Sequence, residues 1–165
     1  MLPLTLLAAQ KLLNLLTGTN ALQQQLTAIA SATNSNVPSI EAGQVVLSSV
    51  GPEIADKSLQ LSYPRICLYS SGLKNAQVEK FRSLSGTLSV IAEIWASGNL
   101  VDYTDQWIHF YVEAMTEILR QNIGDWGDGV FFPGIYDVQF QTAKPGGFGY
   151  VQSAKLTCSL TVSRN

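Results

Sequence analysis

The chain has 165 residues, of which 46% are hydrophobic and 13% are charged, and its formal net charge is −2. This length can bury a core without disulfides or metals, and one domain is the ordinary expectation. The absence of a basic stripe argues against direct nucleic-acid binding. The charged fraction is about half the usual value of about 25%, which is typical of surfaces that neighbouring subunits cover, although a low-charge monomer has the same composition.

The first 38 residues predict a helical hairpin. Residues 4–16 form the first helix, with Pro3 near its first turn, and a second helix runs from a cap at Asn20 to about Ser31. The first helix is apolar on most sides and therefore requires burial. Its residues Leu4 and Leu12 are candidates for contact with a partner.

For the same apolar run a signal peptide is a disfavoured alternative, with residues 30–32 loosely resembling a cleavage site, and a membrane-spanning segment is not predicted. The run has no positively charged start, Lys11 interrupts it, and it is too short to cross a bilayer. A helix lying on a membrane surface is an alternative, but a single lysine and a weak amphipathic pattern do not favour it. We expect a protein that does not bind membranes.

The middle of the chain carries weaker signals. Residues 44–49 are compatible with a short strand, 51–62 read as a loop, 65–69 predict a strand, and 70–77 read as a polar connection.

The second half predicts three long strands and one helix. Apolar and polar residues alternate within 83–95, 135–142 and 151–162, which is typical of antiparallel strands with one buried face. Residues 104–121 keep helical spacing, with Asp102 or Thr104 as the candidate cap.

These elements together predict an α+β fold in a single domain, residues 1–165. We expect a mainly antiparallel four-stranded sheet with one long helix packed on one face. The sheet and this helix would form the α+β core, residues 63–165. The N-terminal helical hairpin, residues 1–38, adds to this core.

Asp105, His109, Glu113 and Glu117 recur every four residues and share one stripe of the predicted helix. Histidine and carboxylates bind several divalent metals, but no second histidine or cysteine completes a site, so a solvated face is the favoured interpretation. An enzyme that uses His109 with a serine or carboxylate is the competing hypothesis. We expect no catalytic residue, metal or other cofactor.

The remaining motifs do not predict chemistry. Cys67 and Cys158 lie in predicted strands without the spacing of a zinc site. The glycine-rich segments 124–129 and 144–149 match neither a phosphate-binding loop, a calcium loop nor a dinucleotide-binding fingerprint. We interpret the first as turns after the helix and the second as a hairpin loop.

Aromatic residues cluster in a segment that reads as an exposed loop. Trp126, Phe131 and Phe132 lie there, and Phe148 lies in the later hairpin loop. Tryptophan and phenylalanine are favoured anchors in protein interfaces, so these four are candidates for partner binding. The alternative is that the first three fold back under the loop and extend the core.

Six segments of the chain from Pro64 onwards follow one another in a distinctive pattern and order: 64–69 (PRICLY), 80–86 (KFRSLSG), 92–95 (AEIW), 111–114 (YVEA), 134–138 (GIYDV) and 146–154 (GGFGYVQSA). In this pattern and order the chain resembles the tail terminator and tail completion proteins of long-tailed phages.

The resemblance implies a small structural subunit, usually six to a ring, that sits on the last layer of the tail tube and joins it to the head. Its partners would be sister copies, the tube protein and a head–tail connector or neck protein. It would be made in the host cytoplasm and end up in the virion. Another neck or head completion subunit is the alternative within the same class. A ring requires a head-to-tail interface whose rotation closes.

Overall fold

A computed structural model describes residues 2–50, 62–76 and 78–165 of the chain. Three α-helices and eight strands occur in these ranges. In chain order they are α1 Leu4–Thr17, α2 Ala21–Ala32, β1 Val45–Leu47, β2 Arg65–Asn75, β3 Leu84–Gly98, α3 Val101–Gln121, β4 Gly124–Gly127, β5 Val130–Phe132, β6 Tyr136–Phe140, β7 Lys144–Gly146 and β8 Gly149–Arg164. All of the predicted loop at 51–62 except Ser62 lies outside the described residues.

The strands form one mixed sheet in the order β1-β2-β3-β8-β5-β4, and β6 and β7 also pair with β8. β1 runs parallel to β2, whereas the other neighbouring pairs are antiparallel. The architecture is α+β, but the prediction of a mainly antiparallel four-stranded sheet under one long helix is wrong. Within the described ranges the sheet has eight strands, and three α-helices accompany it.

β8 organises the sheet because both of its edges are paired. On one side β3 accompanies it from Leu84 opposite Arg164 to Gly98 opposite Tyr150. On the other side β5, β6 and β7 pair with successive parts of it. The alternation seen in the sequence follows this register, since Leu88 pairs with Leu160 in the core.

The additional strands lie in segments that the sequence predicted as loops or connections. β4, β5 and β7 have only three or four residues, too few to show a period of two. β2 continues through Asn75, beyond its predicted end at Tyr69, because its exposed polar part still pairs with β3. Polar composition alone therefore concealed half of this strand.

The helices pack together on one face of the sheet. α1 contacts β1 and β2, α3 contacts β3 and β8, and α2 packs against α3 and α1. One hydrophobic cluster joins residues from all three helices with residues of the sheet, among them Leu12, Leu26, Met115 and Leu156. The first two helices thus belong to the same core as the sheet.

The opposite face of the sheet is buried at one end, contrary to the expectation of a sheet with a single buried face. Cys67, Trp95 and Val151 form a second cluster there, with Val46 and Tyr63 packed against it. Trp95 is fully buried, and its indole Nε1 has no hydrogen-bond partner among the described residues. We call this side, which faces away from the helices, the outer face.

The predicted helix caps are not observed. Asn20 adopts a left-handed conformation and makes no capping hydrogen bond, and α3 begins at Val101, before Thr104. The Thr104 hydroxyl instead donates to the Val101 carbonyl oxygen inside the helix.

Candidate functional site

The aromatic segment after α3 folds largely into the core. Phe132 is fully buried, and Trp126 packs against it with ring centroids 5.3 Å apart. The Trp126 indole donates to the Asn122 carbonyl oxygen at 2.8 Å. Phe131 points the other way along β5 and is 45% exposed. Of these three candidates, only Phe131 offers a largely free side chain to a partner.

A lysine from α1 holds this segment in place. Lys11 Nζ donates to the Trp126 carbonyl oxygen at 2.8 Å and forms an ion pair with Asp128 at 2.7 Å. The charge that interrupts the apolar first helix therefore serves a structural contact with the β4–β5 hairpin.

The other candidate contact residues are divided between surface and core. Phe148 is 65% exposed at the β7–β8 turn, where it packs edge-on against Tyr63 with centroids 5.8 Å apart. Leu4 and Leu12 are both buried in the main core. A partner therefore cannot reach these two side chains in the folded chain.

The α3 stripe does not assemble a metal site in the described residues. Asp105, His109 and Glu113 are exposed, and Glu117 pairs with Arg120 at 2.6 Å. No group of three metal-binding side chains occurs in the part of the chain that the structure describes. The centroid of the His109 ring lies 4.6 Å from that of Phe140, so the imidazole packs against an aromatic side chain of β6.

Both cysteines are buried free thiols on opposite faces of the sheet. Burial raises the pKa of the Cys158 thiol to about 12. Burial also raises the pKa of Cys67, although the neighbouring Arg65 opposes this shift. Because the thiolate is the nucleophilic form, neither thiol is poised for chemistry at neutral pH.

A polar groove of about 280 Å³ crosses the outer face between β3, β6, β7 and β8. Glu93 and Lys155 line it and lie opposite each other in the β3–β8 register. The Tyr69 hydroxyl donates to Glu93 Oε2 at 3.1 Å; partial burial and this carboxylate raise the pKa of Tyr69 to about 12. The groove offers donors and acceptors to a polar partner, but His109 lies on the opposite side of the sheet.

The edge of the sheet at β6 exposes aromatic side chains that the sequence placed in the core. Tyr136, Val138 and Phe140 do face the helices, as the alternation predicted, because they pair with core positions of β8. However, Tyr136 and Phe140 are 42% and 46% exposed, and the preceding Ile135 is 61% exposed. Among the described residues no strand pairs with the other edge of β6. Inward orientation at an edge strand therefore does not bring burial.

The loop between β2 and β3 carries the most exposed apolar residues of the described chain. Val78 is 99% and Phe81 is 86% exposed. Lys80 and Arg82 flank Phe81 in sequence. An aromatic residue between two cations was the signal available in the sequence, but residues 80–86 were used there only for the resemblance to tail terminators.

A scan against protein-family models finds no match for this chain, and a search of curated protein sequences finds none. Within the described residues, no helix has both the length and the apolarity needed to span a bilayer.

Proposed function

We propose that this protein is a structural subunit that assembles into a closed ring, terminates a phage tail tube and joins it to the head. The observation that carries the proposal is the distribution of exposed apolar side chains. Val78 and Phe81 lie in the loop at the end of the β2–β3 hairpin, and Ile135, Tyr136 and Phe140 lie at the β6 edge of the sheet. Clustered exposed apolar residues usually mark interfaces.

The two exposed regions are different surfaces, which favours a ring over a twofold dimer. A twofold dimer buries the same patch on both subunits, whereas a ring joins two different patches head to tail. The strand order separates β2 from β6 by β3 and β8. One subunit thus has two distinct surfaces for two neighbours.

The low charge of the chain is consistent with this role. Charged residues are 13% of the sequence, and interface cores are depleted in charge because desolvation of charge is costly. The resemblance to tail terminators supplies the rest of the proposal: about six copies, a tube protein on one side and a connector or neck protein on the other. Synthesis would take place in the host cytoplasm, and the ring would remain in the virion.

Native mass spectrometry and negative-stain electron microscopy of the purified protein test the ring directly. We expect a single closed oligomer with a central hole, and a monomer at all micromolar concentrations would contradict the proposal. Addition to polymerising tail tube protein should then stop tube growth. A ring that binds the connector but leaves tube length unchanged would identify another neck or head completion subunit.

His109→Ala separates this proposal from the enzyme hypothesis. An assembly subunit with this substitution should retain its oligomer and its ability to complete tails. Loss of a measured catalytic activity with an unchanged oligomer would support the enzyme instead.

A further inference from the structure

The loop end of the β2–β3 hairpin is basic as well as apolar. We define the hairpin tip as residues 74–76 and 78–82. It contains the cations Lys74, Lys80 and Arg82 and one carboxylate, Glu79. Arg82 pairs with Glu79 at 3.3 Å, whereas Lys74 and Lys80 are exposed and have no ion-pair partner among the described residues.

The edge of the sheet at β6 is acidic as well as apolar. We define the acidic edge as Ile135 and β6 together with Asp105 and Glu113 of α3; the ring of His109, which takes no part in the proposed contact, lies against Phe140 and places this stripe of α3 beside β6. Asp105, Glu113 and Asp137 are exposed, and no described cation pairs with them. Asp105 accepts a hydrogen bond from the neutral side chain of Gln152 at 2.9 Å.

The two surfaces are complementary in both charge and chemistry. The hairpin tip offers two lysines around exposed apolar side chains, and the acidic edge offers carboxylates beside exposed aromatic rings; none of these charges has an ion-pair partner in the part of the chain that the structure describes. Opposite potentials steer association and fix its register, while buried aromatic side chains supply affinity. Within one chain β8 lies between the hairpin and β6, and the tip lies near the Arg164 end of β8 whereas β6 pairs with its middle, so we infer that this complementarity serves a second copy.

We propose that the hairpin tip of one copy docks on the acidic edge of the next copy and that this contact closes the ring. Phe81 packs against the rings of Tyr136 and Phe140 on the helix side of β6, where one lysine of the tip meets Glu113. The other lysine meets Asp137, which alternates to the outer side of the same edge strand. The inference rests on the proposed ring and specifies its interface. Each copy uses its tip on one neighbour and its edge on the other, as a head-to-tail contact requires.

Charge reversal on each surface tests the pairing. The tip variant is Lys74→Glu with Lys80→Glu, and the edge variant is Glu113→Lys with Asp137→Lys. Each alone opposes like charges at every contact, so we expect each variant to assemble at least about tenfold more weakly than the wild type. An equimolar mixture should regain the ring, because acidic tips then meet basic edges and basic tips meet acidic edges.

The mixed ring has a further signature. Tip and edge variants must alternate around it, so native mass spectrometry should show equal numbers of the two chains and an even total. Ala28→Glu with Ser31→Glu, at exposed positions of α2, is the control for added negative charge and should assemble like the wild type. Circular dichroism verifies that all variants are folded. If a reversal variant fails to fold, Lys74→Gln with Lys80→Gln should still weaken assembly.

The outcomes separate the interface from the ring. A wild-type ring that both reversal variants retain would overturn the pairing and leave the proposed function standing. Two variants that lose the ring but do not recover it when mixed would also overturn direct contact between tip and edge. A wild type that remains monomeric would overturn both the interface and the ring.

Discussion

Gly86 is the position where a single added methyl group should most directly disturb the hairpin. It pairs with Asn75 near the end of β2. A Cβ placed on it would lie 1.8 Å from the Lys74 carbonyl oxygen, far inside the 3.4 Å of ordinary van der Waals contact. The obstacle is backbone, so no side-chain rotation relieves it. We therefore expect Gly86→Ala to force the distal parts of β2 and β3 apart.

The magnitude follows from the contacts that would be lost. The backbone amide of Ala76 donates to the Ser85 carbonyl oxygen at 3.0 Å, and the amide of Ser85 donates to the Asn75 side-chain oxygen at 3.1 Å. Each such hydrogen bond contributes about 1 kcal/mol to stability. Overpacking adds about 1–3 kcal/mol. Together these contributions amount to about 3–5 kcal/mol. Because the exposed end of the hairpin can unpair and so relieve the clash, we expect a loss near the lower value, about 3 kcal/mol.

Gly72→Ala provides the matched control on the neighbouring strand. A Cβ at Gly72 meets no atom within 4 Å. The substitution should leave stability unchanged or raise it by up to about 1 kcal/mol, because alanine has less freedom in the unfolded chain.

Thermal unfolding followed by circular dichroism measures both variants. For a chain of this size a loss of 1 kcal/mol lowers Tm by about 2–4 °C. Gly86→Ala should therefore unfold about 6–12 °C below the wild type, and Gly72→Ala within a few degrees of it. Equal Tm values for the two variants would refute the steric argument.

Three further predictions concern single side chains. Tyr111→Phe removes the hydroxyl that donates to the Pro38 carbonyl oxygen at 2.8 Å and should cost about 1–2 kcal/mol in a chemical denaturation experiment, whereas no loss would show that this hydrogen bond is dispensable. Hydrogen bonds from Arg120 and a neighbouring glutamine lower the pKa of Glu117 to about 2. The ionised Glu117 therefore stabilises the fold fully above the ordinary carboxyl pKa, and this stabilisation is lost as pH falls towards about 2. An NMR titration of Glu117 should show a midpoint of about 2, and Arg120→Gln should raise this midpoint. Cys158 should resist thiol reagents at pH 8 until the protein unfolds, because burial raises its pKa; rapid labelling of the native protein would contradict its burial.

The long alternating segments could be predicted from the sequence because burial on one face leaves a period of two. β3 and β8 follow that rule along the core, and α3 covers them as its helical spacing indicated. The same rule explains why Phe131 is exposed and the adjacent Phe132 is buried. Had residues 130–132 been recognised as a strand, adjacent aromatic residues would have been assigned to opposite faces.

The remaining features depend on tertiary contacts that local patterns do not encode. Trp95 interrupts the polar series on the outer face, and its burial depends on Cys67, Tyr63 and Val151 from distant parts of the chain. Phe140 follows the inward alternation but remains exposed, because no described strand continues the sheet beyond β6. Exposure at a sheet edge is decided by strand order, which composition and periodicity do not give.

The position of β8 in the chain sets the order in which the molecule can be completed during synthesis. β3 pairs with β2, which precedes it in the chain, and with β8, which follows it and ends at Arg164. Its pairing with β8 can therefore be completed only after residue 164 has been synthesised. Until then the nascent chain carries an apolar strand with an open edge, a state prone to misassociation. We therefore expect premature chain termination before β8 to yield insoluble protein. Because the pairing of β3 with β8 joins distant parts of the chain, we also expect refolding to be slow.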